Sequence, residues 1–224
     1  MGLPRRALIA VTWAHAPPLY PDGKETGVLI TEALHPYEVF KKAGFEQADW
    51  LKGEDKAAWE NGESDFRQAL DKGLKPSDVN PADYGIFFAS AGHASLIDYP
   101  DATGLHGVAG KIFANGGIVS AVCHGSAIFP GIHAPNSDKS IIAGRRVTGF
   151  TTRGKEEEGD LDAIVSWNRR TIEKSAAAAG AIYVSPPGPW DSFTQTDGNI
   201  VTGASPASAE ATAVAAVEAF EAVA

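Results

Sequence analysis

Short apolar runs alternate along the chain with stretches whose apolar residues recur every three or four positions. Ala7–Thr12, Tyr84–Ser90, Ile118–Val122 and Arg146–Phe150 read as strands, with shorter ones at Ile182–Val184 and Phe45–Leu51. Phe193–Gln195 and Ile200–Thr202 flank Asp197-Gly198, which predicts a hairpin. Helical spacing covers 27–42, capped by Thr26 and closed by Gly44, and 104–114, stopped by Asn115-Gly116-Gly117. Further helices are expected near 160–168, 170–179 and 206–222. Residues 52–82 are polar and read as a surface insertion with a short helix around Ser64–Asp71. Trp13–Lys24 and Pro186–Trp190 are loops.

Strands that alternate with helices predict an α/β protein with a mostly parallel sheet covered on both faces. One domain over 1–224, carrying the insertion, accommodates every element. Sites in such sheets lie at the carboxyl ends of strands.

One of those ends stands out. The run Ile118–Val122 is followed by Cys123-His124-Gly125 and then by small and apolar residues suited to a helix start. This is the layout of a nucleophile elbow, with Cys where hydrolases carry Ser. A strand-to-helix tip predicts an outward thiol, and helix N–H groups aimed at it favour the thiolate. His124 is adjacent, although neighbours at a sharp turn usually point apart; it suits a proton shuttle.

Two other features point toward this tip. Glu32 falls on the apolar stripe of the 27–42 helix with Val28, Leu29 and Val39, where an ionisable group is either paired, protonated or functional, or rotates to the helix edge. Pro36 leaves the carbonyl of Glu32 without its helical donor. The turn at Gly92-His93 follows another strand, and its backbone N–H groups, with that of His124, suit an oxyanion site. His15, His35, His106 and His133 show no metal-ligand spacing and read as structural or surface residues. No glycine-rich phosphate signature occurs, so no cofactor is expected.

Composition narrows the setting. The 224 residues are 44% hydrophobic, enough for a sizeable core, and carry a net charge of -9, which disfavours nucleic acid and anionic membranes as partners. A single cysteine excludes an internal disulfide and fits a reducing compartment. No apolar run approaches a membrane span, and Ala7–Val11 is short for a signal peptide, so a cytoplasmic location, extending to the nucleus, is expected.

The linked motifs Thr26-Gly27-Val28 through Glu32-Ala33-Leu34-His35-Pro36, Phe88–His93, Ala121–Gly125, Gly188-Pro189-Trp190-Asp191 and Thr196–Gly203 resemble the PfpI-type superfamily, and within it the fungal heat-shock/glyoxalase III branch. The resemblance covers essentially the whole chain. It implies a flavodoxin-like three-layer sandwich, a homodimer, and glutathione-independent conversion of methylglyoxal to lactate without metal or cofactor. Stress-protective chaperone activity toward misfolded clients is implied as well. By the same resemblance Cys123 is the nucleophile, Glu32 the buried acid bonded to it, His124 the triad histidine, and Trp190 part of the substrate pocket. The third triad member departs from the pattern. The family places a Glu shortly after Gly-Phe-Thr; here ungapped counting from Gly149-Phe150-Thr151 reaches Lys155, and one extra residue reaches Glu156. Glu156 is taken as the triad acid, with Glu157 in reserve. Rival readings of the same cysteine are a holdase or oxidative-stress sensor, and a deglycase or small-peptide hydrolase. The downstream His-x-Glu pair of glutamine amidotransferases is missing.

Overall fold

The structure, a computed structural model, describes residues 2–12, 27–45 and 73–224. In chain order its strands are β1 (Ala7–Ala10), β2 (Ile86–Ala89), β3 (Ile118–Val122), β4 (Arg146–Val147), β5 (Ile182–Tyr183), β6 (Thr194–Asp197) and β7 (Ile200–Gly203). The helices are α1 (Thr31–Lys42), α2 (Ser95–Asp98), α3 (Thr103–Ala114), α4 (Thr152–Glu158), α5 (Leu161–Ser166), α6 (Ile172–Ala178) and α7 (Ala209–Glu221).

A five-stranded sheet runs in the order β1-β2-β3-β7-β6, parallel except for the antiparallel edge strand β6. Strands β4 and β5 form a separate parallel pair. The period-2 alternation of strand side chains divides the apolar residues between two layers. Ile86, Phe88, Ile118, Val122 and Val201 pack with Phe40 of α1 and with Ala213, Ala216 and Phe220 of α7. Phe87, Ala89, Val119, Ala121 and Ile200 pack with Val108, Ala109 and Ile112 of α3. Helices therefore cover both faces, as the alternating pattern predicts, and the result is a three-layer α/β sandwich. The central strands carry almost no polar residues because neither face meets water.

Three boundaries differ from expectation. Helix α1 begins at Thr31 because the Leu29 amide donates to the Ala91 carbonyl (2.8 Å), holding the preceding residues against the turn after β2. Strand β4 stops at Val147 because the Thr148 amide donates to Oγ1 of Thr202 (2.8 Å). The chain then passes beneath the elbow, where the Phe150 amide reaches the Cys123 carbonyl. The acidic run after Thr151, expected to precede a helix, forms α4 itself. The strand anticipated over Phe45–Leu51, most of the 52–82 insertion with its helix, the Trp13–Lys24 loop, the Thr26 cap and His15 lie outside the described residues.

Candidate active site

The end of β3 turns at Cys123, whose φ of 54° places a non-glycine residue in the left-handed region. The following stretch, Cys123–Gly131, winds in tight 3₁₀ turns instead of the anticipated α-helix. Two residues explain this. Pro130 brings no N–H to a helical ladder, and Gly125 sits so close to β2 that a Cβ there would lie 2.6 Å from the Ala89 carbonyl oxygen. At the turn the chain doubles back, and Sγ of Cys123 lies 3.2 Å from Nδ1 of His124. Adjacent residues thus meet where their spacing suggested that they would part.

The thiol is buried, with 2% exposure, which corrects the expectation of an outward-facing sulfur. Burial first, then the neighbouring Glu32 carboxyl, push its pKa well above the usual thiol value; the His124 amide and then Lys155 pull the other way. A short 3₁₀ run offers little dipole to offset that desolvation. The resting sulfur is a thiol. Glu32 is also wholly buried, so of the two readings for its place on α1, the inward one holds. Its carboxyl interacts with the Cys123 thiol, and its oxygens have no other hydrogen-bond partner among the described residues. Burial raises it from the carboxylate range to about 8, against smaller downward pulls from Cys123 and Lys155.

The raised pKa of Glu32 makes stability depend on pH. Folded Glu32 holds its proton up to about pH 8, whereas in the unfolded chain it releases it near the ordinary value of 4.5. Its contribution is therefore complete below the unfolded value and drains away as pH rises through the window between the two. Glu32→Gln removes the titration. The stability of the wild type relative to this variant is expected to fall by a few kcal/mol between pH 5 and pH 8.5, because each pH unit between the folded and unfolded values is worth about 1.4 kcal/mol. Thermal melts of both proteins across that range check the sign.

His124 is buried too, and its pKa lies well below the usual histidine value, through burial first and then repulsion from His93 and Lys155. Its Nε2 has no hydrogen-bond partner among the described residues. Aromatic rings hold the imidazole in place: Phe150 stacks on it at 4.7 Å between centroids, His93 meets it edge-on at 4.8 Å, and Trp190 caps Phe150 at 5.1 Å. Trp190, 46% exposed, is the solvent-facing end of that ring chain. Gly92 and His93 lie at the turn after β2, beside the elbow.

The third position is corrected. Glu156 and Glu157 are exposed, and Glu157 pairs with Arg153 across one helical turn (2.8 Å). The Thr151 hydroxyl caps α4 by accepting from the Gly154 amide (2.9 Å), which sets the phase of the helix. In that phase Lys155 points inward, 2% exposed, and its ammonium donates to Nε2 of His93 and to Glu158, with Asp160 at 3.6 Å. Residue 156 is rotated about 100° away, into water. Glu158 titrates below the usual carboxylate range: burial opposes this, but its bonds to His93 and Lys155 prevail. Lys155, Glu158 and Asp160 were not selected as site residues from the sequence; only the ungapped count to Lys155 signalled this arrangement. Of the other histidines, His106 is structural, its ring bonded to the Tyr99 carbonyl (2.7 Å).

A mostly parallel α/β sandwich carries a strained cysteine at a strand-to-turn tip, a histidine against the sulfur and a buried carboxyl beside it, and its fold is that of a ThiJ/PfpI domain. The sandwich superposes on a ThiJ/PfpI domain protein from Brachyspira murdochii with a TM-score of 0.62 at 16% identity, a likeness of fold. Glyoxalase 3 of Candida albicans is 44% identical over 233 residues, covering 96% of this chain and 98% of the relative. The glutathione-independent glyoxalase HSP31 of Saccharomyces cerevisiae is 42% identical over 235 residues, covering 97% and 99%. The crystal structure of the Candida glyoxalase III matches with a TM-score of 0.89 over 99% of this chain. No family model matches the sequence. The chain belongs to the glutathione-independent glyoxalase family.

Proposed function

We propose that this protein converts methylglyoxal and related 2-oxoaldehydes to 2-hydroxy acids without glutathione, with Cys123 as nucleophile. The observation that carries the reading is the meeting of three groups in one buried place: the Cys123 sulfur, Nδ1 of His124 at 3.2 Å and the Glu32 carboxyl. The full-length similarity to named glyoxalases supports it.

Neutral His124 takes the thiol proton at Nδ1 as sulfur attacks the aldehyde carbon, giving a hemithioacetal. The carbon-bound proton at C1 then leaves and one is delivered to C2 through an enediol, with His124 and Glu32 as the shuttling groups. Glu32, protonated at neutral pH, suits the donor role. Backbone N–H groups of Gly92, His93 and His124 steady the developing oxyanions, and Trp190 walls the substrate side. Water cleaves the resulting thioester, releasing the hydroxy acid and restoring the thiol. C1 is oxidised as C2 is reduced, so the sum is substrate plus water and needs no electron carrier.

The test is direct. Purified protein incubated with methylglyoxal, without glutathione, is expected to form lactate. Absence of lactate overturns the proposal. Of the rival uses of this cysteine, oxidative sensing fits least, because a buried thiol with a raised pKa reacts slowly with peroxide.

A further inference from the structure

The elbow histidine of a cysteine site is ordinarily oriented by a carboxylate, which favours an imidazolium and hence a thiolate beside it. Here the imidazole has no carboxylate partner among the described residues, and a lysine occupies the interior position at the start of the next segment. Lys155 Nζ lies 4.7 Å from the centre of the Phe150 ring, the same ring that stacks on His124. It also grips His93, whose ring meets His124 edge-on. A single side chain thus touches both aromatic walls of the catalytic imidazole.

We propose that Lys155 is the positioning residue of this site: its ammonium, anchored by Glu158 and Asp160 and bonded to Nε2 of His93, holds the two rings that wall His124 and disfavours a second cation on that imidazole. This rests on the reading of Cys123 as the nucleophile.

The charges facing the thiol come from every packed element. Glu32 comes from α1, His93 from the turn after β2, and His124 from the elbow itself. Lys155 and Glu158 come from α4 and Asp160 from the turn beyond it, while Tyr183 of β5 and Glu173 of α6 lie behind, the latter accepting from the Thr152 amide. Lys155 is the one buried cation in this set, and its field lowers the proton affinity of Glu32, Cys123 and His124 alike. For the two acids that promotes the anion; for the imidazole it promotes the neutral form. A carboxylate in the same place does the reverse on both counts.

Cys123 is the sole cysteine, so alkylation by iodoacetamide reports on it alone. In Lys155→Met the pH midpoint of alkylation is expected to move up by about one pH unit or more, with about tenfold slower alkylation at pH 7.5 and a parallel drop in methylglyoxal turnover. Lys155→Arg, which retains the charge, is expected to stay within about threefold of the wild type in both assays. An unchanged alkylation midpoint in a folded Lys155→Met protein overturns the proposal. Should loss of the cation unfold the chain, Lys155→Met combined with Glu158→Gln and Asp160→Asn removes the stranded acids, and the same upward shift is expected from it. The two readings fail separately. A shifted midpoint with no wild-type turnover of methylglyoxal sustains the role of Lys155 and rejects the glyoxalase. Turnover with an unshifted midpoint does the opposite.

Discussion

Cys123→Ala is expected to abolish methylglyoxal turnover, with a fall in kcat/KM of at least about a thousandfold, while leaving the fold intact. The mechanism forms a bond to this sulfur, and no other cysteine exists to replace it. His124 and the backbone amides that remain in the variant can polarise a carbonyl, but they supply no nucleophile from which a thioester can form. The structural cost is small. Alanine fills most of the same volume, and the left-handed φ strains it about as much as it strains cysteine. The thermal midpoint is therefore expected within a few degrees of the wild type. Steady-state assay of lactate formation, paired with a melt, checks both halves. Turnover within tenfold of the wild type would remove Cys123 from the chemistry.

Gly92→Ala is expected to damage both stability and activity, although residue 92 carries no side-chain chemistry. Its φ of 133° is open to glycine and strained for any L side chain. A Cβ there would lie 2.0 Å from the Gly27 carbonyl oxygen and 2.7 Å from the Leu29 amide nitrogen, both backbone atoms that cannot swing aside. Relief requires breaking the Leu29–Ala91 hydrogen bond that docks the start of α1, two residues before the helix that carries Glu32. A loss of at least about 3 kcal/mol is expected, from strain and displaced backbone together. Activity should fall at least about a hundredfold in the protein that remains folded, because Glu32 shifts relative to the sulfur. Chemical denaturation and lactate formation measure the two effects. A variant with wild-type stability would show that this turn is looser than its packing indicates.

The elbow and the anomaly at Glu32 were legible because their signals are local. Ile118–Gly125 announces a strand and a sharp turn in eight consecutive residues, and Glu32 announces itself by interrupting an apolar stripe. Each needs only the period of one element to be seen. Lys155 illustrates the opposite case. In the chain Lys155 precedes three glutamates, and an acidic run after a strand invites the choice of an acid. Which member faces inward depends on the phase of α4, and that phase is set by the Thr151 cap, the Thr152 amide bonded to Glu173, and the Phe150 ring beneath it. One of those partners, Glu173, reaches α4 from α6, elsewhere in the fold.

The protonation of the thiol is a matter of the same kind. A strand-to-helix tip argues for exposure and a depressed pKa, and that argument holds wherever a full helix follows the cysteine. Here Gly125 presses the turn against β2 and Pro130 interrupts helical bonding, so burial outweighs the dipole.

The residues alone determined the alternation of strands and helices, the parallel sheet, the elbow and the choice of Cys123, because hydrophobic period and turn chemistry act over a few positions. Tertiary structure decided that the sulfur is buried, that Glu32 turns inward to meet it, and that a lysine stands where an acid was expected. Those outcomes depend on desolvation and on helix phase, and both are properties of what packs against a residue from elsewhere in the chain.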